Sequence, residues 1–195
     1  MALFAVLPAS VALGSRDPSA PVIAYLATLV AMFAVSSAYH SKGMSASLRS
    51  WLRRVDHAMI YVYIAGCCAP YCMGALGGGL LAWVLLGLTS AGAIIGALWK
   101  LTAFEAKRPW AAGLYLVLGW LGVFTLPSAF SRLGASALAL VCISGMLYTC
   151  GAIVLASRWP DPAPEVFGYH EVWHAAVVAA SGCYFAAVWF MPSLH

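Results

Sequence analysis

A chain of 195 residues with 64% hydrophobic and only 8% charged side chains, and a mean hydropathy of +0.91, lies far from the roughly 25% charged composition of a soluble domain. It reads as an integral membrane protein. Spans of about 20 residues leave no room for a separate soluble domain, so residues 1–195 are expected to form one bundle. The net charge of +4 argues for membrane orientation and not for nucleic acid, because the basic residues fall in short connections and form no basic face.

In chain order, apolar runs and their punctuation predict seven helices, at about 2–14, 20–39, 56–74, 79–99, 109–127, 134–156 and 169–191, an all-α seven-transmembrane bundle. The first is short and opens at Met1, so it reads as a truncated span. A signal peptide is the rival reading, weakened because no positive stretch precedes the apolar run. The second segment ends in Ser36-Ser37-Ala38-Tyr39-His40, and the loop after it carries Lys42, Arg49, Arg53 and Arg54. The third opens with Asp56-His57. Lys100, Lys107 and Arg108 follow the fourth and Arg158 the sixth, while the opposite side has only Arg16 and Arg132. Lys and Arg accumulate in cytoplasmic loops, so the amino terminus is expected inside and the carboxyl terminus outside.

The six cysteines, Cys67, Cys68, Cys72, Cys142, Cys150 and Cys183, all lie inside apolar runs. There they read as small hydrophobes, not as a disulfide framework. Cys68 and Cys72 share a helical face and offer a weak metal pair, for which packing is the better reading.

The seventh segment opens with His170-Glu171-Val172-Trp173-His174, which puts two imidazoles about one turn apart on one face. In the predicted topology His40, Asp56, His170 and His174 all reach the same side of the bilayer. Ionisable groups at membrane depth are costly unless partnered, which makes each of them a functional candidate. His40, His170 and His174 together would leave one position of a tetrahedral zinc open, the mark of a catalytic site. Water in that position would have a pKa of about 7. Asp56 is the expected proton acceptor or orienting group for the water. Ser36, one turn before His40, would offer a hydroxyl to the water or to a substrate oxygen.

Taken singly, these positions have plain readings. His40 or Asp56 alone suits an interface facing headgroups, and Ser36 alone suits a helix contact. His57 is turned about 100° from Asp56 and reads as an interfacial or hydrogen-bonding neighbour, and His195 as solvent-exposed. His170 to His174 also fits the H-E-x-x-H signature of zinc proteases. The only downstream third ligand would be His195, however, so the third ligand is sought upstream, at His40. Glu171 is expected to serve the helix start rather than to act as a base.

The combination of Ser36…His40, Asp56-His57 running through Ala65-Gly66 to Pro70, and His170…His174 resembles the hemolysin III family, the bacterial branch of the progestin and adiponectin receptor family. The resemblance runs from the second segment to the last. It implies seven helices, a cytoplasmic amino terminus, zinc on His40, His170 and His174, and Asp56 and Ser36 beside the zinc-bound water. Alkaline ceramidases belong to the wider superfamily, which implies a zinc-dependent hydrolase of lipid amides or esters in the bacterial inner membrane, its partner a membrane lipid. The alternative is a receptor-like or membrane-homeostasis protein in which zinc only clamps helices. A pore is not supported, since no polar stripe runs through the spans.

Overall fold

The structure is a computed structural model, and it describes residues 19–103 and 110–191. Seven α-helices and one 3₁₀ turn follow in order: α1 (Ala20–Tyr39), α2 (Ala46–Leu76), α3 (Leu80–Thr102), α4 (Trp110–Trp120), the 3₁₀ turn (Leu121–Thr125), α5 (Leu126–Arg132), α6 (Ala135–Ser157) and α7 (Tyr169–Trp189). No β-strand occurs among the described residues, one isolated bridge between Ala163 and Phe167 aside. Among the described residues, six helical stretches are long and apolar enough to cross a membrane, Gly113–Arg132 counting as one. The first predicted segment, at about 2–14, lies outside the described residues.

Two of the expected segments differ from what hydropathy predicted. α2 starts at Ala46, ten positions before Asp56, because hydropathy marks where lipid begins and not where a helix begins. Ser45 caps it by accepting from the Leu48 N–H at 3.4 Å, and Arg and Leu, good helix formers, then propagate the helix. The expected helix at 109–127 is instead broken at Leu121–Thr125 and continues to Arg132. Pro127 has no N–H to give to Val123, and Tyr71 reaches in from α2, its hydroxyl donating to the Gly122 carbonyl (3.3 Å) and lying 2.8 Å from Thr125 Oγ1. A missing donor and an inserted hydroxyl together loosen the i to i+4 ladder.

α2 is the central helix, packed against α1 on one side and α3 on the other, while α6 pairs with α7. At Gly66 a Cβ would overlap the Thr28 side chain, so α1 and α2 approach closely because that position has no side chain. α2 ends on Gly77 at φ +67°, a left-handed cap whose N–H returns to the Cys72 carbonyl. A polar cluster ties the centre together: Tyr148 donates to Tyr63 at 3.1 Å, and its oxygen lies 2.7 Å from Ser181 Oγ. Ser144 donates to the Ala180 carbonyl at 2.9 Å. In a bilayer, where packing gains little from the hydrophobic effect, such bonds orient helices.

Candidate metal centre

The inward face of α1 is read from its buried residues Val22, Tyr25, Leu29, Met32 and Ser36, three or four apart as a helical stripe requires. One further turn along the stripe stands His40, whose N–H donates to the Ser36 carbonyl at 3.0 Å. The stripe of α7 runs backward from Val188 through Tyr184 and Ser181 and, at the same spacing, reaches His174 and His170. Two apolar stripes that meet in the core therefore end in imidazoles at one end of the bundle.

The three histidines come together. One ring nitrogen from each of His40, His170 and His174 lies within 4.8 Å of the others. The Nε2 atoms of His170 and His174 are 3.1 Å apart. The His40 ring sits edge-on to His174, with centroids 5.0 Å apart, and 5.5 Å from His170. For bonds of about 2.0–2.1 Å, tetrahedral ligand atoms stand about 3.3–3.4 Å apart. The donor set and its spacing fit zinc with small side-chain adjustments. His40 is open on one side and the other two are half-buried, which leaves access from the bundle end. Burial of the rest of its ring pushes the His40 imidazole below its ordinary pKa, partly offset by the Asp56 carboxylate, and a neutral imidazole is the metal-binding form.

Asp56 lies on α2, mostly covered, with Oδ2 3.6 Å from His57 Nδ1. It is near enough to His40 to act on its charge. Ser36 is buried. His57 donates through Nδ1 to the Arg53 carbonyl at 2.8 Å and is not among the clustered histidines. Glu171 points to the helix start, accepting from the Gly168 N–H at 2.9 Å, while Asp161 accepts from the Tyr169 N–H at 2.9 Å. Glu171 is expected at the helix start for the sake of the helix dipole; the hydrogen bond by which it caps the helix is added by the structure. The Asp161 contact had no sequence signal beyond a carboxylate in the preceding loop. His195 lies outside the described residues. All six cysteines are free thiols, and Cys68 Sγ and Cys72 Sγ are 3.5 Å apart, too far for a bond.

With three histidines drawn from the two ends of the chain, the comparison with known proteins is decisive: the sequence model described as "Haemolysin-III related" matches residues 1–185. The chain belongs to the haemolysin-III related family. It is 30% identical over 139 residues to a "Hemolysin-3 homolog" of Bacillus subtilis (strain 168), covering 71% of this chain and 62% of that protein. To "Hemolysin-3" of Bacillus cereus it is 29% identical over 137 residues, 70% of this chain and 59% of that one. An "Adiponectin receptor protein" of Drosophila melanogaster is 30% identical over 108 residues, 50% of this chain and 24% of that protein. This family member therefore aligns with about three-fifths of the length of its Bacillus relatives, and the Drosophila match is consistent with the expected likeness to the progestin and adiponectin receptor family.

Proposed function

We propose that this protein is a zinc-dependent hydrolase of lipid amides or esters in the bacterial plasma membrane. In this reading it is a seven-span bundle whose additional span is the segment at about 2–14, with the amino terminus and the histidine cluster on the cytoplasmic side. The observation that carries the proposal is the convergence of three imidazoles within 4.8 Å; the Asp56 carboxylate acts on the charge of His40, and the buried Ser36 precedes His40 by one turn. His40, His170 and His174 would hold the ion. Zinc, when bound, supplies a Lewis acid and the means to deprotonate water near neutral pH. Asp56 would take a proton from the attacking water and return it to the leaving amine or alcohol. Ser36 would hold a substrate oxygen by hydrogen bonding. The Tyr39 and His40 rings meet edge-on with centroids 4.7 Å apart, which steadies the His40 ring at the helix end.

A second reading has one observation in its favour. Among the described residues the cluster draws its nitrogens from the C-terminal cap of α1 and the start of α7, which suits a receptor-like or membrane-homeostasis protein in which zinc clamps two helices.

The two readings separate on Asp56→Asn, which keeps size but removes the proton acceptor. A hydrolase should keep its zinc and lose turnover by about 10²- to 10⁴-fold, with Ser36→Ala milder. A clamp should show little change with Asp56→Asn but lose thermal stability on metal removal. The measurement is fatty-acid release from amide and ester lipids in liposomes by the wild type, Asp56→Asn and metal-stripped protein. If the wild type releases none, or Asp56→Asn is equally fast, the hydrolase reading is wrong and the clamp takes its place.

A further inference from the structure

The histidine end of the bundle is electrostatically lopsided. From His40 to Val55 the chain carries Lys42, Arg49, Arg53 and Arg54 and no carboxylate. Across the site, the connection from α6 into α7 carries Asp161, Glu165 and Glu171 against Arg158 alone. Two of these carboxylates are committed to their own loop, on the Tyr169 and Gly168 N–H groups.

The basic side also has a distinct shape. α2 has 31 residues, about 46 Å at ~1.5 Å per residue, whereas a hydrocarbon core is about 30 Å thick. Its first ten residues, 46–55, therefore stand at headgroup level. At about 100° per residue, Leu48, Trp51, Leu52 and Val55 fall on one face, while Arg49 and Arg53 stand one turn apart on another. Leu48 and Trp51 are 46% and 53% exposed, so both are free to rest in the acyl boundary, where Trp and Leu on the apolar face of an interfacial helix are favoured. Arg49 Nη2 donates to the carbonyl of Ser41 at 3.4 Å. Ser41 directly follows His40, so this guanidinium stands at the edge of the histidine cluster, with further N–H groups to offer outward.

We propose that the N-terminal extension of α2 is a docking surface for the headgroups of anionic phospholipids, with Arg49 and Arg53 meeting the phosphate and Leu48 and Trp51 anchoring at the acyl boundary. Lys42 adds charge from the preceding loop. A planar guanidinium suits a phosphate through paired N–H groups. A zwitterionic headgroup brings its own cation to the same place and so gains less. The surface does not depend on what the histidine cluster does.

The test is lipid retention by the full chain in an uncharged detergent, read by native mass spectrometry after adding phosphatidylglycerol and phosphatidylcholine of matched acyl chains. The wild type should retain phosphatidylglycerol preferentially, and less so as salt is raised from 0.1 to 0.5 M, as the screening length falls below about 10 Å. In R49Q/R53Q the preference should fall by about fivefold per arginine, the factor equivalent to ~1 kcal/mol per cation near a charged surface. R49K/R53K, which keeps the charge but not the paired N–H groups, should show a preference between those of the wild type and R49Q/R53Q, and Arg132→Gln, at the far end of the bundle, should keep all of it. If the double variant does not fold, Arg49→Gln and Lys42→Gln alone should each show a partial loss. Equal retention of both lipids by the wild type, or an undiminished preference in folded R49Q/R53Q and in the single variants, would overturn the proposal. So would displacement of the lipid by millimolar glycerol phosphate, which would make this a site for soluble phosphate.

Discussion

Ser36 and His40 stand one turn apart on the same stripe of α1, so a single apolar periodicity places both the buried hydroxyl and the first imidazole. The corresponding stripe of α7 places His174 and His170, four residues apart, where their Nε2 atoms approach to 3.1 Å. If these three rings hold zinc, the purified protein should carry about one metal per chain. Replacing His40, His170 or His174 by Ala should then remove most of it, whereas His57→Ala should leave occupancy intact because that ring is engaged with the Arg53 carbonyl. Elemental analysis of the four variants decides the matter, and equal loss in His57→Ala would mean a different ligand set. Glu171 gives a second residue-scale prediction. It bonds the Gly168 N–H at the start of α7, so Glu171→Gln should keep zinc and turnover with a small fall in melting temperature. Loss of turnover with zinc retained would revive the protease-like role that its position between the two histidines permits.

Helix ends and helix breaks govern what happens at the next scale. Hydropathy located the apolar part of each described span, but the ten-residue start of α2 and the break at Leu121–Thr125 arose from other causes: a serine cap with good helix formers in the first case, Pro127 and the Tyr71 hydroxyl in the second. Tyr71→Phe removes that hydroxyl and should lower stability by about 0.5–1.5 kcal/mol, read as a reduced melting temperature in detergent. The close approach of α1 and α2 at Gly66 is more sensitive. Gly66→Leu would meet the Thr28 side chain and should cost about 1–3 kcal/mol as overpacking. Because α1 carries His40, displacement of that helix should also lower metal occupancy. Unchanged melting and occupancy would mean that the two helices are not held as tightly as this contact requires.

For the whole molecule, the distribution of Lys and Arg predicts that a reporter after His195 responds from outside the cytoplasm and one near Met44 from inside. A cytoplasmic response from the His195 fusion would mean that the spans are miscounted, although the histidine end could still be a single layer. Much of this protein was legible in its sequence. Composition alone requires a membrane, because so few charges cannot keep this much apolar surface in water, and of the seven apolar runs predicted, six correspond to helices long and apolar enough to span it among the described residues. His40, Asp56, His170 and His174 are conspicuous because polar groups at the ends of apolar runs demand a reason. What the sequence could not determine is which side chains actually meet. The helical period gives each helix a face but not the rotation of one helix against another, and that rotation is set by contacts remote in sequence, such as Gly66 against Thr28 and Tyr148 with Tyr63 and Ser181. Only the tertiary structure therefore decided that the histidines from the two ends of the chain share one point, that His57 turns to its own helix, and that Glu171 is taken up by a backbone N–H.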